Sequence, residues 1–556
     1  MRIRPFSRRF GGIPPPGAPR PPSGRAVWLL PLGRMRRGSV LLLVSALALA
    51  ACSGGDDERS GETPPVTRDL FADAPVDTQP PAGTEAPATT EAPAEAVNPL
   101  DYSISWEQVG SRTEGGWLTV PNDYSDPSAG TIDLFVVRHL ADEDQRIGSL
   151  LTNNGGPGVG ASTVARNATS WFPSEITDRF DIVSWDPRGT GASDGAVDCI
   201  DDDQYDEFFG AADVTPEDDA EKQILVDLAQ RYAEQCVSRT GDALPRVGTN
   251  NSARDMDAIR QALGEDQVSY FGFSYGSELG GTWATMYPET VRAAVFDGAA
   301  DPNADPLESQ RQQRIGFEAA LDTFLAQCSA DEDCVFHNDG NAEGAYDLLL
   351  AAVDENPVPT RSDRIPVNQQ VMLTGVTQAM YSDAYWPALE RSLQDALDGD
   401  GLGLLALHDA YYRRGDGGEY SNLIEAFQGI SCADVAERKT VEESDADAQE
   451  LLDVAPRLFP YTTGSYFCTF FPETAEERGE ITGVGAGPIV VIGTTGDPST
   501  PLDSSTAMAA ALDKGRLIIV EADRHTGYSA SACAQELVED YLVWLEPPKN
   551  NTVCSD

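Results

Sequence analysis

One serine of this sequence lies in a setting that could make it a nucleophile. Ser274 is the centre of Gly272-Phe-Ser-Tyr-Gly276, which follows an apolar run ending at Phe273 and precedes a stretch, 275–286, that can form a helix. A strand, a tight turn and a helix in this order expose the serine hydroxyl at the helix N-terminus, and the glycines remove side chains that would collide in the turn. Gly-x-Ser-x-Gly also occurs by chance, so the prediction of a catalytic serine depends on its partners.

A nucleophilic serine needs a base, and the chain has only four histidines. His139 falls within a strand pattern, His337 beside a short cysteine loop and His408 within a helical run, so we interpret these three as structural. His525 follows the strand-like run 516–520, in a loop from which an imidazole could reach the end of a sheet. We therefore expect His525 to be the general base that accepts the serine proton.

The third member of such a site is a carboxylate that orients the imidazole and stabilises its protonated form. Asp497 lies just past another strand-like run, and Asp503, several residues further along, is the competing acid in a less favourable place. The position of Asp497 at a strand end favours it. The order Ser274, Asp497, His525 is the order found in α/β-hydrolases.

Acyl transfer also needs backbone N–H donors where the oxyanion develops. The segment Asn153-Asn-Gly-Gly-Pro-Gly158 follows the strand-like run 149–152 and can bring bare backbone close to a substrate carbonyl. An ordinary glycine-rich turn is the alternative interpretation. Together with the serine motif, the segment predicts an oxyanion hole formed by the amides of Gly156 and Tyr275. A nucleotide-phosphate loop is not indicated, because no Lys-Ser or Lys-Thr follows.

The elements that must position these residues alternate between strand-like and helical stretches, which favours a largely parallel sheet covered by helices. The strand candidates are 131–139, 149–152, 181–185, 268–273, 293–296, 488–493 and 516–520. Between about 301 and 480 the alternation stops, and the long stretches look helical: 314–327, 342–353 and 389–412. We expect the later strands to carry the site at their carboxyl ends, where ligands of open α/β sheets bind.

Three motifs in this order resemble a known family: Asn154-Gly-Gly-Pro-Gly, Asp186-Pro-Arg-Gly-Thr-Gly-Ala-Ser193 and Gly272-Phe-Ser-Tyr-Gly276. Over residues 100–545 the chain is similar to α/β-hydrolases of the proline iminopeptidase group, most of all to secreted actinobacterial tripeptidyl aminopeptidase-like proteins. The resemblance implies an α/β-hydrolase fold, a mostly parallel sheet flanked by helices with an inserted, largely helical cap. The implied division is 100–300 and 481–556 for the core and 301–480 for the cap.

The implied function is that of a secreted serine exopeptidase that removes short peptides from the N-terminus through an acyl-enzyme, without cofactor or metal. An aminopeptidase must also bind a free ammonium group, which calls for carboxylates in or under the cap. Glu278 and Asp434 are the candidates, although surface or structural roles compete. Two departures from the family pattern affect the pocket: Arg524 precedes His525, and Glu278 lies in the nucleophile helix where an uncharged residue is expected.

Other functions remain open. An esterase or lipase would use the same three residues, since acyl transfer is common to both reactions. A lipid-anchored binding protein without activity is a second alternative, which a complete serine, histidine and aspartate set disfavours. Dehalogenase or epoxide hydrolase chemistry would require an aspartate in place of Ser274. Within Asp186-Pro-Arg-Gly-Thr-Gly we favour a structural role, in which Arg188 pairs with buried carboxylates.

The N-terminus resembles an export signal. Basic residues after Met35, the apolar run 40–49 and Leu49-Ala-Ala-Cys52 form the parts of a bacterial lipoprotein signal, in which Cys52 is lipidated. The apolar run is too short to span a bilayer, and an ordinary signal peptide with a chance cysteine is the alternative. Residues 1–51 are therefore the predicted signal region, with Met35 as the natural start. Residues 52–99, rich in Pro, Thr, Ala and acids, are predicted to form a disordered tether.

Composition agrees with a folded exported protein. Removal of Cys52 from the nine cysteines leaves an even number, and proximity predicts four disulfides: Cys199–Cys236, Cys328–Cys334, Cys432–Cys468 and Cys533–Cys554. With 90 acidic and 39 basic residues the formal charge is -51, which disfavours binding to nucleic acid. A zinc site is not indicated because no Cys-x-x-Cys pair exists. The acidic run from Asp398 lacks the ligand spacing of a calcium loop.

Overall fold

A ten-stranded sheet runs through the computed structural model, which describes residues 102–474 and 476–555. In chain order the strands are β1 (Glu107–Gly110), β2 (Thr113–Pro121), β3 (Thr131–His139), β4 (Gly148–Asn153), β5 (Phe180–Trp185), β6 (Val268–Phe273), β7 (Val291–Asp297), β8 (Ile489–Thr494), β9 (Gly515–Val520) and β10 (Thr552–Cys554). Two predicted segments lie outside the described residues: the signal region 1–51, which contains Met35, and the tether 52–99, which begins at Cys52.

The order of the strands across the sheet is β1-β2-β3-β5-β4-β6-β7-β8-β9-β10. The pairs from β5 to β10 are parallel, whereas β1, β2 and β3 join the sheet in antiparallel fashion. Strand β4 pairs with β5 on one side and β6 on the other, so the chain reverses its direction across the sheet at this point. The carboxyl ends of β4 and β6 flank such a switch point, the usual ligand site of these sheets.

The central strands are buried along their whole length, which agrees with helices on both faces of a parallel sheet. Successive residues point to opposite faces, so Leu151 and Tyr270 belong to one hydrophobic cluster while Leu150 and Phe271 belong to another. This confirms the predicted mostly parallel sheet flanked by helices. All seven predicted strands are present; β1, β2 and β10, at the two edges, were not predicted.

Helices cover both faces of the sheet. Before β7 they are α1 (Ser162–Arg166), α2 (Ala168–Trp171), α3 (Ser174–Thr177), α4 (Tyr205–Phe209), α5 (Asp219–Thr240), α6 (Thr249–Ala262) and α7 (Gly276–Met286). Between β7 and β8 lie α8 (Pro306–Ala330), α9 (Ala342–Glu355), α10 (Gln369–Met380), α11 (Trp386–Leu397), α12 (Leu402–Tyr411), α13 (Leu423–Ala433), α14 (Val441–Leu451) and α15 (Phe467–Phe470). After β8 follow α16 (Leu502–Ala511) and α17 (Ala532–Trp544).

We refer to residues 298–488, between β7 and β8, as the helical segment. Its helices α8 to α12 share a hydrophobic cluster of their own, whereas Ile424 and Ile430 of α13 pack into the cluster of the sheet. The stretch 389–412, predicted to be helical, contains two helices, because α11 ends at Leu397 and α12 begins at Leu402. Gly399 between them has a φ of 94°, a left-handed conformation that ends the helix.

The four predicted disulfides are confirmed in their pairing. They are Cys199–Cys236, Cys328–Cys334, Cys432–Cys468 and Cys533–Cys554. Two of them join secondary elements that are separate in the chain: one links α13 to α15 and one links α17 to β10. None of the helices within residues 102–474 and 476–555 combines the length and the hydropathy that a bilayer-spanning helix requires.

Candidate active site

Ser274 lies in the turn between β6 and α7. Its φ of 54° is the left-handed conformation that a nucleophile turn requires, and its backbone N–H donates to the carbonyl oxygen of Asp297 at the end of β7, at 2.8 Å. A Cβ atom at Gly272 would overlap the carbonyl oxygen of Gly276, and one at Gly276 would lie 2.8 Å from the carbonyl oxygen of Asn153. Only glycine therefore fits at these two positions, as the motif predicts.

His525 and Asp497 form a buried pair. The Nδ1 atom of His525 lies 2.9 Å from Oδ1 and 3.0 Å from Oδ2 of Asp497. The same carboxylate accepts backbone N–H groups from Ser499, Thr500 and Thr526, at 3.0, 2.8 and 3.2 Å. These donors fix the carboxylate, which in turn orients the imidazole with Nδ1–H toward it.

The imidazole of His525 also lies close to the end of β7, which holds the serine turn. A Cβ atom at Gly298 would lie 3.0 Å from Cε1 of His525, and the residue before Gly298, Asp297, holds the backbone of Ser274. Nε2 of His525 is buried and has no hydrogen-bond partner among the described residues. Such catalytic contacts are often loose in ligand-free structures and tighten when substrate binds. A lone pair on Nε2 is thus available to a serine hydroxyl.

The glycine-rich loop after β4 contacts the serine turn directly. A Cβ atom at Gly155 would lie 2.8 Å from Cβ of Ser274 and 3.3 Å from the backbone N of Tyr275. Gly155, Gly156 and Gly158 have φ values of 93°, 108° and 97°, which only glycine adopts without strain. In residues 102–474 and 476–555, the N–H groups of Gly156 and Tyr275 donate to no protein acceptor. Two free donors beside the serine are what an oxyanion requires.

The competing acid is in a different place. Asp503 is exposed in the first turn of α16, whereas Asp497 is buried against His525. The other histidines are also elsewhere: His139 contacts Thr113, and the ring of His408 lies 3.4 Å from the carbonyl oxygen of Phe209. His337 accepts the N–H of Gly340 in a surface turn. The structure therefore pairs Asp497 with His525 near the strand end that holds Ser274, and it places Asp503 and the other three histidines elsewhere.

Glu278 and Asp434 lie in one cluster on the other side of Tyr275. Oε1 of Glu278 is 2.7 Å from Nη1 of Arg478, and Asp434 accepts both the N–H and the hydroxyl of Thr249 at 2.6 Å. The hydroxyl of Thr249 also lies 2.5 Å from the phenol oxygen of Tyr275. Burial raises the pKa of Asp434 to about 6. Arg478 therefore pairs with Glu278, and its backbone N–H donates to the carbonyl oxygen of Asp434. Sequence reasoning did not identify this arginine.

Asp297 is a further site residue that sequence reasoning missed. Its carboxylate is fully buried and accepts the N–H groups of Gly527 and Tyr528, at 2.7 and 2.9 Å, just after His525. Burial raises the pKa of Asp297 to about 6. Asp497 was identified as an acid near a strand end, close to a turn. The same pattern is present at Asp297, so the sequence could have identified this residue too.

The helical segment reaches the histidine loop through its backbone. The N–H of His525 donates to the carbonyl oxygen of Tyr381 at 2.9 Å, and the two rings meet edge to face at 5.7 Å. Arg524 and Ser382 form a β-bridge beside this contact. No local pattern in the sequence could show this pairing, because residues 381–382 and 524–525 are far apart in the sequence.

The Asp186-Pro-Arg-Gly-Thr-Gly motif forms a buried support behind the site. The guanidinium of Arg188 donates to both carboxylate oxygens of Asp255, at 2.7 and 2.8 Å, and to the carbonyl oxygen of Pro121. Asp186 accepts the N–H groups of Ser162 and Ala192. These contacts hold the loop after β5 and agree with a structural role. Across the described ranges, no cluster of three or more metal-type side chains is present.

The arrangement can perform acyl transfer: it combines a serine at a tight turn, a histidine and carboxylate pair, and free backbone donors. Comparison with known proteins points the same way. Residues 148–529 match the family described as alpha/beta hydrolase fold. That match covers well over half of the chain.

Three curated proteins are similar to most of the chain. Serine protease Hip1 of Mycobacterium tuberculosis is 34% identical over 456 residues, which are 79% of this chain and 86% of that protein. Carboxylesterase B of the same species is 33% identical over 450 residues, 79% of this chain and 85% of that protein. Tripeptidyl aminopeptidase of Streptomyces lividans is 28% identical over 464 residues, 79% of this chain and 83% of that protein.

Proposed function

The chain belongs to the alpha/beta hydrolase family, and on that premise we propose that it is a serine peptidase that removes short peptides from free N-termini. The observation that carries the proposal is the buried Asp497–His525 pair. Nε2 of His525 has no partner among the described residues, and the imidazole lies beside Gly298, next to Asp297, which holds the Ser274 turn. Tripeptidyl or prolyl aminopeptidase-like cleavage is the finer form of this activity.

In the proposed mechanism the hydroxyl of Ser274 attacks the scissile carbonyl carbon while Nε2 of His525 accepts its proton. Asp497 stabilises the imidazolium that forms. The oxyanion accepts hydrogen bonds from the N–H groups of Gly156 and Tyr275. The imidazolium then donates its proton to the departing amine, and water, activated by the same histidine, releases the acyl portion. No cofactor or metal takes part.

The peptide assignment is supported by relatives named as a serine protease and as a tripeptidyl aminopeptidase. An esterase is the second candidate, because a relative of nearly equal identity is named carboxylesterase. The same three residues serve both reactions, so the leaving group that the site accepts decides between them. A binding protein without activity is disfavoured, since the chain has the complete set of serine, histidine and aspartate and the last two form a buried pair.

Recognition of a free amine is proposed for the cluster of Glu278 and Asp434. Arg478 balances one of the two negative charges, so the cluster carries a net charge of about one negative unit when Asp434 is ionised. An ammonium group could supply the missing positive charge. The cluster adjoins Tyr275, one of the proposed oxyanion donors, so an amine bound there would lie on the acyl side of the scissile bond.

The helical segment is proposed to cap the site, with the core formed by residues 100–300 and 481–556 and the cap by 301–480. Two contacts support the assignment of the helical segment as a cap. Backbone of α13 lies so close to Gly158 that a Cβ atom there would overlap the carbonyl oxygen of Leu423. On the other side, Tyr381 holds the backbone of His525. A cap in these positions would limit the length of peptide that can enter.

Export is supported by four disulfides, which persist in oxidising compartments. We further propose that Cys52 is lipidated and anchors the protein to the outer face of the cell membrane through the tether 52–99. Cys52→Ala, expressed in a bacterium that processes lipoproteins, should release the protein from the membrane fraction into the medium. Retention of the variant on the membrane would reject the lipid anchor.

The activity is tested with three substrates offered to the purified protein: a tripeptidyl aminocoumarin with a free amine, the same compound with a blocked amine, and a short-chain nitrophenyl ester. Ser274→Ala is the control, because it removes the nucleophile and leaves the fold. We expect cleavage of the free-amine peptide, little cleavage of its blocked twin, and loss of both in the variant. Turnover of the ester alone would make the protein an esterase.

A further inference from the structure

Arg314 is unusual among the arginines of this acidic protein. It lies in α8, and among the described residues its guanidinium has no hydrogen bond and no carboxylate within ion-pair distance; its Nη1 atom is buried. Arg311, one turn earlier on the same helix, pairs with Glu308 and Glu450 at 3.3 and 2.5 Å. Burial lowers the pKa of Arg314, since a desolvated cation without an anion is unfavourable. Such a group calls for an anionic partner from outside the protein.

Aromatic rings surround the guanidinium of Arg314. Its Cζ atom lies 5.7 Å from the ring centre of Phe459 and 5.9 Å from that of Tyr461, within the range of cation–π attraction. Both rings remain partly exposed. Burial nevertheless raises the pKa of the Tyr461 phenol to about 12. The side chain of Arg314 is also partly exposed, so a ligand can reach this cluster from solvent.

A series of ring contacts connects Arg314 with the proposed base. Phe459 contacts Phe317 at 6.0 Å, Phe317 contacts Tyr381 at 5.3 Å, and Tyr381 contacts His525 at 5.7 Å between ring centres. The helix that carries Arg314 also packs against the loop after Asp497. There a Cβ atom at Gly316 would overlap the carbonyl oxygen of Pro498, and the amide of Gln313 donates to the hydroxyl of Ser499 at 3.4 Å.

The position of Arg314 relative to His525 indicates which half of a substrate Arg314 would bind. In acyl transfer the protonated histidine gives its proton to the leaving group, so the leaving group lies on the histidine side of the nucleophile. The acyl half lies on the other side, next to the Glu278 and Asp434 cluster beyond Tyr275. Because the series of ring contacts connects Arg314 to His525, we assign Arg314 to the side of the leaving half.

We propose that Arg314 is a specificity-determining residue that binds a carboxylate on the leaving portion of the substrate. The carboxylate has two possible sources, the C-terminus of a short peptide or the side chain of an acidic residue. The planar guanidinium can bind either one with two parallel hydrogen bonds. This inference rests on the proposed peptidase function, and it predicts that the protein prefers anionic leaving peptides although its own surface is strongly acidic.

The test uses peptides that share one acyl portion with a free amine. Their leaving portions are one, two or three alanines that end in a carboxylate or in a carboxamide, and a third set ends in a carboxamide but contains one glutamate. At one or more of these lengths we expect a carboxylate to raise kcat/KM roughly tenfold or more over the neutral peptide, because charge-assisted hydrogen bonds to a desolvated cation are strong. The two anionic sets identify the source of the carboxylate.

Arg314→Gln should reduce this preference to about twofold or less while the neutral peptides keep their kcat/KM. The matched control is Arg311→Gln on the same helix, which should keep the preference. A wild-type protein that cleaves charged and neutral peptides equally well, or an Arg314→Gln variant that keeps the preference, overturns the inference. Failure of the wild type to cleave any of the peptides would instead reject the proposed function itself.

A second measurement does not depend on activity. Arg314→Met keeps the packing against Phe459 and Tyr461 and removes the desolvated charge, so its thermal unfolding temperature should equal or exceed that of the wild type. A buried arginine with a structural role behaves in the opposite way, because its loss leaves its partners unpaired. A clear fall in the unfolding temperature of Arg314→Met would show that the residue supports the fold and would overturn the ligand-binding role.

Discussion

Asp297 holds the backbone of Ser274 through its own carbonyl oxygen, at 2.8 Å. With its carboxylate the same residue holds the loop that follows His525, through the N–H groups of Gly527 and Tyr528. The relative position of nucleophile and base therefore depends on one residue at the end of β7. Thr526, within this loop, has a φ of 70°, a strained conformation for a β-branched residue that these hydrogen bonds help to maintain.

The first prediction concerns the carboxylate of Asp297. The carboxylate accepts one N–H group on each oxygen, from Gly527 and from Tyr528. Asp297→Asn replaces one of these oxygens by an NH2 group, so one hydrogen bond is lost and the His525 loop shifts. We expect kcat to fall about 10- to 100-fold with little change in KM, since small displacements of a catalytic group are costly. Steady-state kinetics on the preferred peptide measures both values. Asp503→Asn, at an exposed aspartate of α16, is the control and should leave kcat unchanged; an equally active Asp297→Asn would contradict the role.

The second prediction concerns the serine turn. In Gly272→Ala the new methyl group overlaps the carbonyl oxygen of Gly276, so the turn must open and Ser274 must move. We expect a loss of at least about 100-fold in kcat/KM. Gly487→Ala, where a Cβ atom meets no other atom within 4 Å, is the matched control. Labelling by an active-site fluorophosphonate reports the exposed serine directly, and rapid labelling of Gly272→Ala would refute the prediction.

The third prediction concerns the carboxylates on the acyl side. Glu278→Gln together with Asp434→Asn leaves Arg478 without a counter-charge and turns an acidic cluster into a cationic one. We expect kcat/KM for a free-amine peptide to fall about tenfold or more, while the amine-blocked twin is unchanged or cleaved better. The ratio of the two substrates is the measurement. An unchanged ratio would show that the amine is bound elsewhere.

The fourth prediction concerns Glu425, which is 4% exposed on α13 and accepts the N–H groups of Cys199 and Ile200. Burial raises its pKa from 4.5 to about 7. A carboxyl with a raised folded-state pKa keeps its proton when the unfolded chain has lost it, so this group lowers stability as the pH rises from about 4.5 to about 7.

Glu425→Gln removes that pH-dependent loss and keeps an oxygen acceptor for both N–H groups. The variant should therefore gain stability over the wild type as the pH is raised from 4.5 to 8, by about 3 kcal/mol as an upper value for a shift of this size. Denaturant unfolding at the two pH values measures the difference. Glu536→Gln, at an exposed position of α17, should show no such change with pH, and a Glu425→Gln difference that stays constant would count against the raised pKa.

Much of the fold was readable from the sequence because its signals are local. Buried parallel strands are mostly continuous apolar runs, so β4 to β9 were predicted within one or two residues of their ends, and the antiparallel β3 was predicted at its exact bounds. The edge strands β1 and β2 were missed, since β1 is only four residues long and fully exposed, and β2 contains two consecutive glycines. The family and the α/β-hydrolase fold, predicted from three motifs, are confirmed.

The site was predictable only where a motif marks a residue. Ser274 stands in a recognisable turn, and Asp497 and His525 follow strand ends in the expected order. The partners that complete the site come from distant parts of the chain: Arg478 beside Glu278, and Tyr381 beside His525. Tertiary packing creates these contacts, and no spacing in the sequence reports them.

The backbone link between Tyr381 and His525 also limits how this protein could be re-engineered. Exchange of caps between related hydrolases treats the cap as an independent module that can be cut out at its two connections. Here the chain of residues 381–383 runs beside 523–525 and fixes the histidine loop by hydrogen bonds. A chimaera that replaces the helical segment must therefore keep residues 381–383. Without them the loop of His525 loses these hydrogen bonds, and the proposed base is displaced whatever substrates the new cap admits.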